Sequence, residues 1–314
     1  MRSFVKKLAG MLVVLVGVVL LLFIMLRIIP GSPVTTLLGE HVSQSVIDRM
    51  TEEMGLNDPL PVQFFRYVGN ALRGDFGTSY KLNRPVTTLI LDAFPNTIRL
   101  SIFAALFAWG VGIIAGIISA ICKNQQRFRL LSSLIDRLFM GGALVGVSMP
   151  VFMTCLFLQY FLAYRVKIFP LSGFDQPLSV VLPAIALGWN SAGTVARMTR
   201  SSLLEVMQAD YISTARAKGR SNAGIILHHA LKNSMLPVVT MMALQISSML
   251  SGAVITETVF GINGIGRLAV TAIQSRDMPL LQGTVSFTTF LVMLGNLAAD
   301  TLYSVLDPRI RREG

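Results

Sequence analysis

The sequence predicts an all-α polytopic membrane protein with about six transmembrane helices. Three observations carry that reading. Only 14% of the 314 residues are charged and the mean hydropathy is +0.64, whereas charged residues make up about a quarter of an ordinary soluble domain. Six apolar segments, residues 8–29, 98–122, 139–163, 178–195, 236–256 and 284–306, are long enough or nearly so to cross about 30 Å of hydrocarbon. The basic residues also sort by side. With the amino terminus inside, the inner segments hold Lys6, Lys7, Arg129, Arg137, Arg216, Lys218, Arg220 and Arg309 among others. The two short outer loops hold only Arg165, Lys167, Arg267 and Arg276. That asymmetry is the positive-inside bias. Helices follow rather than strands, because an open strand edge leaves its backbone groups unsatisfied in lipid.

The first segment follows Arg2, Lys6 and Lys7, as a signal peptide would. Its apolar run is longer than a typical h-region and no small-x-small cleavage site follows, so a retained helix is expected. Residues 30–95 form the largest piece outside the membrane. Ser43 or Ser45 can cap a helix ending at Met54-Gly55, with the glycine making the terminal turn. Asp58-Pro59-Leu60-Pro61 restarts a helix whose Phe64, Phe65, Val68 and Leu72 share a face, and Gly74 closes it. Arg73 to Tyr80 reads as a turn-rich loop. The fourth apolar segment is the weakest, being short and carrying Pro183, Gly188, Asn190 and Gly193. Residues 257–282 read as a glycine-rich loop with a short helix.

The net charge is +11. In a soluble protein it would suggest nucleic acid; here its sidedness assigns it to topology, and no nucleic-acid partner is expected. Cys122 and Cys155 lie in or at the edge of apolar segments, which makes a structural disulfide improbable. Gly261 to Gly266 lacks the Lys-Ser/Thr of a phosphate-binding loop and is expected only to turn the backbone. His228 and His229 are adjacent, so on a helix they point about a hundred degrees apart and are poor joint ligands. No catalytic triad or carboxylate pair occupies a plausible cleft, and no metal, cofactor or enzymatic activity is expected. Asp300, inside the last apolar segment and within reach of basic residues such as Arg137, is expected to serve in a structural ion pair or in helix packing rather than in a proton relay. No carboxylate is evident near the midplane, as an ion-coupled transporter would usually need.

Residues 210–237 form a basic, polar segment between two apolar ones. Asp210 can cap a short helix over 211–218. Ile212 and Ala215 share a face, and small Ala215 and Ala217 allow another helix to approach. Gly219 breaks the segment and Ser221 can cap a second short helix. Leu203, Leu204 and Met207 offer an apolar face just before it. Such a helix–glycine–helix knuckle suits docking of a soluble partner, with Arg216, Lys218 and Arg220 facing an acidic groove.

The sequence resembles the permease subunits of the dipeptide/oligopeptide/nickel class of bacterial ABC importers, as the first permease of the pair. The resemblance rests on Met54-Gly55-Leu56-Asn57-Asp58-Pro59, Gly74-Asp75-Phe76-Gly77-Thr78-Ser79-Tyr80, Ser148-Met149-Pro150-Val151-Phe152 and Ala196-Arg197-Met198-Thr199-Arg200-Ser201. It continues through Asp210-Tyr211-Ile212, Ala215-Arg216-Ala217-Lys218-Gly219, Glu257-Thr258-Val259-Phe260, Gly264-Ile265-Gly266-Arg267 and Asp307-Pro308-Arg309. Two places depart from the family pattern. Ser213-Thr214-Ala215 stands where importers generally have Glu-Ala-Ala, and Ile262-Asn263 stands where Trp-Pro is common.

The resemblance implies a type I ABC importer permease fold. Residues 1–95 would be a first transmembrane helix plus an extracytoplasmic segment. Residues 96–308 would be the transmembrane domain, with five helices and a cytoplasmic coupling loop at about 197–235. Residues 309–314 would be a basic cytoplasmic tail. It also implies ATPase coupling through Asp210, Tyr211, Ala215, Arg216, Ala217, Lys218 and Gly219. The implied partners are a second homologous permease, two cytoplasmic ATPases, an extracytoplasmic solute-binding protein and the lipid bilayer. The chain would lie in the bacterial cytoplasmic membrane with both termini cytoplasmic, moving di- or oligopeptides by alternating access. The same machine could carry nickel or a metal–chelator complex; an ion-coupled secondary transporter is the alternative of another class.

Overall fold

The computed structural model describes residues 2–28, 43–53, 55–124 and 129–306. The expectations for residues 30–42, Met54, Asp307 and the tail 309–314, and for the side chain of Asp300, fall outside what is described. The helices are α1 (Arg2–Ile28), α2 (Gln44–Glu53), α3 (Leu60–Leu72), α4 (Val86–Asn124), α5 (Arg129–Ser148) and α6 (Val151–Leu158). They continue with α7 (Val181–Met207), α8 (Asp210–Ala217), α9 (Asn222–Ile225), α10 (Leu231–Phe260), α11 (Ile265–Gln274) and α12 (Met278–Leu306). Wide helical turns at Gln159–Arg165 and Ile226–Ala230 extend α6 and join α9 to α10. Among the described residues the extended pairing is limited to one isolated bridge, Thr78 to Pro85.

Among the described residues six stretches are long and apolar enough to cross a membrane: Ala9–Ile28, Val86–Asn124, Arg129–Ser148, Pro177–Met207, Ile226–Leu250 and Met278–Ala299. Their number is the one expected; several boundaries are not, the fourth stretch running on to Met207 and the fifth beginning at Ile226. The second segment begins well before residue 98. The third, expected as one run over 139–163, is divided. Pro150 adopts an extended conformation (φ −58°, ψ 140°) and ends α5, because proline disfavours the α conformation in the residue before it and donates no hydrogen bond. α5 in turn starts at Arg129, ten residues early, because its charged first turns remain helical.

The chain forms two compact units, residues 1–97 with 262–293 and residues 98–261 with 294–314. In the first, Val86, Ile90 and Ala93 of α4 pack with Ile265 and Ala272 of α11 and Leu280 of α12. Gly283 keeps α12 close to this core: a Cβ there would lie 2.5 Å from Val86. Asp277 is fully buried. Its Oδ1 caps α12 by accepting from Leu280 N (3.3 Å), and its Oδ2 accepts from Ser79 Oγ (2.5 Å) and Lys81 N (3.0 Å). One carboxylate thus fastens the loop after α3 to the start of α12, which satisfies a charge that would otherwise be costly to bury.

α2 begins as expected, with the Ser43 carbonyl accepting from Val46 N and Ile47 N. Gly55 turns left-handed at φ +63° and Gly74 at φ +80°. The face assigned to α3 is corrected. Gln63 is buried, and its amide nitrogen donates to the carbonyls of Leu56 (3.0 Å) and Asp58 (2.7 Å). Holding Gln63 inward turns Phe65 and Leu72 out to exposure, while Phe64 meets Phe23 edge-on at 5.5 Å. The departing pair Ile262-Asn263 is accommodated: Ile262 is fully buried, and the Asn263 carbonyl accepts from Asn96 Nδ2 at 2.9 Å.

In the second unit α7 is the central helix, packed on α5, α6 and α10. It is the most buried of the six spans. That explains its weak apolar signal, since a helix wrapped by protein needs small residues more than oily ones. Gly188 sits on α4 so closely that a Cβ would lie 2.6 Å from the Ala104 carbonyl. Gly112 of α4 does the same against Ala192, at 2.8 Å. Asn190 donates to the Val147 carbonyl (3.0 Å) and Gln245 to the Ser191 carbonyl (3.3 Å), cross-tying α7 to α5 and α10.

Candidate functional site

α7 ends at Met207, and the chain turns through Ala209, which is extended (φ −70°, ψ 147°), into α8. Asp210 is therefore the first helical residue and not the cap; Ala209 holds the cap position and no side chain caps the helix. Asp210 still favours the helix by its negative charge in the first turn, as Arg216 does by its positive charge in the last. Gly219 follows with φ +76°. Its N–H donates to the Arg216 carbonyl (3.0 Å), and Arg220 N donates to the Ala215 carbonyl (3.4 Å). These bonds close α8 with the left-handed turn that glycine makes at least cost. Ser221 caps α9 as expected: its Oγ accepts from Gly224 N at 3.2 Å.

The back of α8 is anchored. Ile212 is fully buried in a cluster with Ala120 of α4, Leu203 of α7, Ile225 of α9 and Ala230. Leu204, Met207 and Ala215 pack around it. Ala215 therefore meets this chain's own core, and of the two small residues Ala217 is the exposed one. The Tyr211 hydroxyl accepts from Asn233 Nδ2 at 3.0 Å, tying α8 to the start of α10. The front carries exposed Arg216, Ala217, Lys218 and Gly219. The structure thus brings the seven residues expected to couple onto one short knuckle, and it divides them into an anchored back and an open basic front.

Just behind lies a feature the sequence reading missed. Arg200 of α7 grips Asp136 of α5 in a two-pronged ion pair, Nε to Oδ1 at 2.8 Å and a terminal nitrogen to Oδ2 at 3.0 Å. Ser119 of α4 donates to the same Oδ1. Three membrane-spanning helices are pinned at one point. Ser119 adjoins Ala120, and Arg200 precedes Leu203 by one turn, so the pin and the seat of α8 share two helices. The pin's sequence signal is an acidic residue flanked by Leu134, Ile135, Leu138 and Phe139, which lies before the apolar run beginning at residue 139 and so outside the expected span. Among the described residues no group of three or more His, Cys, Asp or Glu could hold a metal ion.

Residues 112–312 match the family model described as binding-protein-dependent transport system inner membrane component, and residues 1–101 match the amino-terminal model of the same system. The chain belongs to this family. The permease is 38% identical to a dipeptide transport system permease protein of Alkalihalophilus pseudofirmus, over 98% of both chains. It is 36% identical to the glutathione transport system permease protein of Escherichia coli K12, again over 98% of both. Among solved structures it is similar to the inward-facing MetNI methionine ABC transporter, with a TM-score of 0.59 at 16% identity, covering 70% of this chain and 96% of that one. An amino acid ABC transporter gives a TM-score of 0.53, also at 16% identity, over 69% and 94%. The fold is that of an ABC importer permease, all-α and integral to the membrane.

Proposed function

We propose that this permease is one of two homologous membrane subunits of an ATP-driven importer for short peptides, gripped by a cytoplasmic ATPase at the knuckle from Asp210 to Gly219. It would lie in the bacterial cytoplasmic membrane with both termini inside and receive cargo from an extracytoplasmic binding protein. The cargo reading rests on relatives named for dipeptides and for glutathione, itself a tripeptide. The coupling reading rests on one observation: α8 is fixed from behind by Ile212 and presents Arg216, Ala217 and Lys218 in front. A push on that face passes into α4 and α7 through rigid contacts rather than being lost in a loose loop. Alternating access then needs a differential affinity of only a few kcal/mol between the two states. Hydrolysis belongs to the partners.

The test is to assemble the permease with its second subunit, the ATPases and the binding protein in vesicles. ATPase activity should rise several-fold when the binding protein is loaded with a dipeptide or glutathione, and stay flat with a nickel chelate. The isolated permease should hydrolyse no ATP. A cysteine at Ala217 should cross-link to an ATPase subunit. Turnover by the isolated chain, or a cross-link that never forms in an active assembly, would refute the reading.

Sidedness is separately measurable. Cysteines at Ser43 and Ser221 should react with an impermeant reagent from opposite faces of the membrane, Ser43 from outside. Labelling of both from outside in intact cells would overturn the orientation.

A further inference from the structure

A cavity of about 200 Å³ opens in the first unit at the carboxyl-terminal end of α1. Its lining includes Phe23 and Arg27 of α1, Tyr67 of α3, Asp75 and Tyr80 of the following loop, and Gln282 of α12. The polar groups are of two kinds. On the donor side, the Arg27 guanidinium lies over the Phe23 ring at 5.3 Å and forms no ion pair with a described carboxylate. The buried amide nitrogen of Gln282 has no hydrogen-bond partner among the described residues. Burial raises the Tyr80 phenol above its ordinary range; Arg27 opposes that rise and Asp277 adds to it. Burial likewise raises Tyr67, its bond to Ser286 opposing. Both hydroxyls therefore keep their protons at neutral pH. On the acceptor side stands one carboxylate, Asp75, whose Oδ1 accepts from Gly77 N at 2.8 Å.

The position matters as much as the lining. Arg27 is the penultimate described residue of a span that crosses the bilayer over Ala9–Ile28. It therefore sits at an end of the hydrocarbon layer, where arginine heads reach the polar interface. Leu20, Leu21, Ile24, Met25 and Ile28 of the same helix are exposed and apolar. Of these, Leu20 and Ile24 stand seven and three residues before Arg27 and share its side of the helix, so an apolar strip runs along α1 to the cavity, where an acyl chain could lie. Among the described residues the buried Gln282 amide nitrogen has no partner, which is costly unless a ligand satisfies it, and Arg27 is exposed at the cavity and offers its charge to an anion. Basic pockets between membrane helices bind lipid headgroups for this reason.

We propose that the cavity holds the headgroup of an amine-bearing phospholipid, its phosphate on Arg27 and Gln282, its ammonium toward Asp75, and its acyl chains along α1. An anionic headgroup without an amine would leave Asp75 facing the phosphate uncompensated, so a phosphoethanolamine-type group is preferred to a phosphoglycerol-type one. A free peptide carries the same two charges. The apolar wall of α1 beside the cavity favours the lipid, and the experiment separates the two. The proposal stands independently of the cargo assignment.

The permease, purified with its partner subunits, is released from nanodiscs containing equal amounts of phosphatidylethanolamine and phosphatidylglycerol, and retained lipid is measured by native mass spectrometry. The wild type should retain phosphatidylethanolamine several-fold over phosphatidylglycerol. Arg27→Gln and Gln282→Leu should lower retention about tenfold and threefold. Asp75→Asn should keep retention but abolish the preference. If Arg27→Gln fails to assemble, Gln282→Leu and Asp75→Asn carry the test. Retention of phosphatidylethanolamine unchanged in these variants, or a wild-type preference for phosphatidylglycerol, would sink the proposal. Displacement of the lipid by a dipeptide but not by free phosphoethanolamine would replace it with a cargo site.

Discussion

Gly219→Val is expected to reduce uptake by at least tenfold at an unchanged membrane level. Gly219 has φ +76°, and an added Cβ would meet nothing within 4 Å. The substitution therefore meets no steric neighbour; its whole effect is on backbone conformation. A β-branched residue held there costs about 1–3 kcal/mol, and the chain escapes that cost by unwinding the turn that closes α8. The bonds from Gly219 N to Arg216 and from Arg220 N to Ala215 would be lost. The exposed front would then be misdirected while Ile212 stays in its pocket. About 1.4 kcal/mol of lost coupling is already a factor of ten in an equilibrium constant. Gly219→Asn is the decisive companion, since asparagine tolerates the left-handed region and should retain most uptake. Ala217→Asp, on the exposed front, should lower uptake through the docking face with no backbone effect. Wild-type uptake by Gly219→Val at equal expression would remove this segment from the coupling role.

The legible parts of the fold were those written in local pattern. Apolar runs located six spans, and glycines located the turns at Gly55, Gly74, Gly219 and Gly261, each with positive φ. Ser221 was readable as a cap because it stands alone before a short helix. Asp210 was misread as a cap because Ala209, which has no capping chemistry, takes the extended conformation that defines the position. α3 was misread because a face of Phe64, Phe65, Val68 and Leu72 gives no hint that Gln63 is held inward by two carbonyls seven and five residues away in sequence. The site shows the same division. The seven knuckle residues are contiguous and visible in a line of sequence. The pin behind them joins residues 119, 136 and 200, and no local period links positions so far apart.

That pin has the second large expected effect. The Asp136 and Arg200 side chains are 11% and 25% exposed, and they lie on helices that cross the membrane. Removing one partner of a buried pair costs about 3–5 kcal/mol, because the other charge is left unmatched. Asp136→Ala and Arg200→Ala should each lower the amount of folded permease several-fold and shift its melting temperature down by several degrees. Asp136→Asn should fall between, since an amide can still accept from Arg200. The double variant Asp136→Leu/Arg200→Met removes both charges while keeping apolar volume, and replacing a buried pair in this way is often neutral. It should recover the folded amount. Uptake then separates two roles for the same three side chains. If the pin only holds α4, α5 and α7 together, the double variant transports normally once folded. If it also keeps Leu203 and Ala120 in register as the seat of Ile212, folding returns while cargo-stimulated ATPase activity stays several-fold low. The second outcome is expected, because apolar side chains can fill the space between the helices but cannot fix their register as a two-pronged ion pair with a third hydrogen bond does. A single Asp136→Ala variant with wild-type abundance and melting would show that the three helices are held elsewhere.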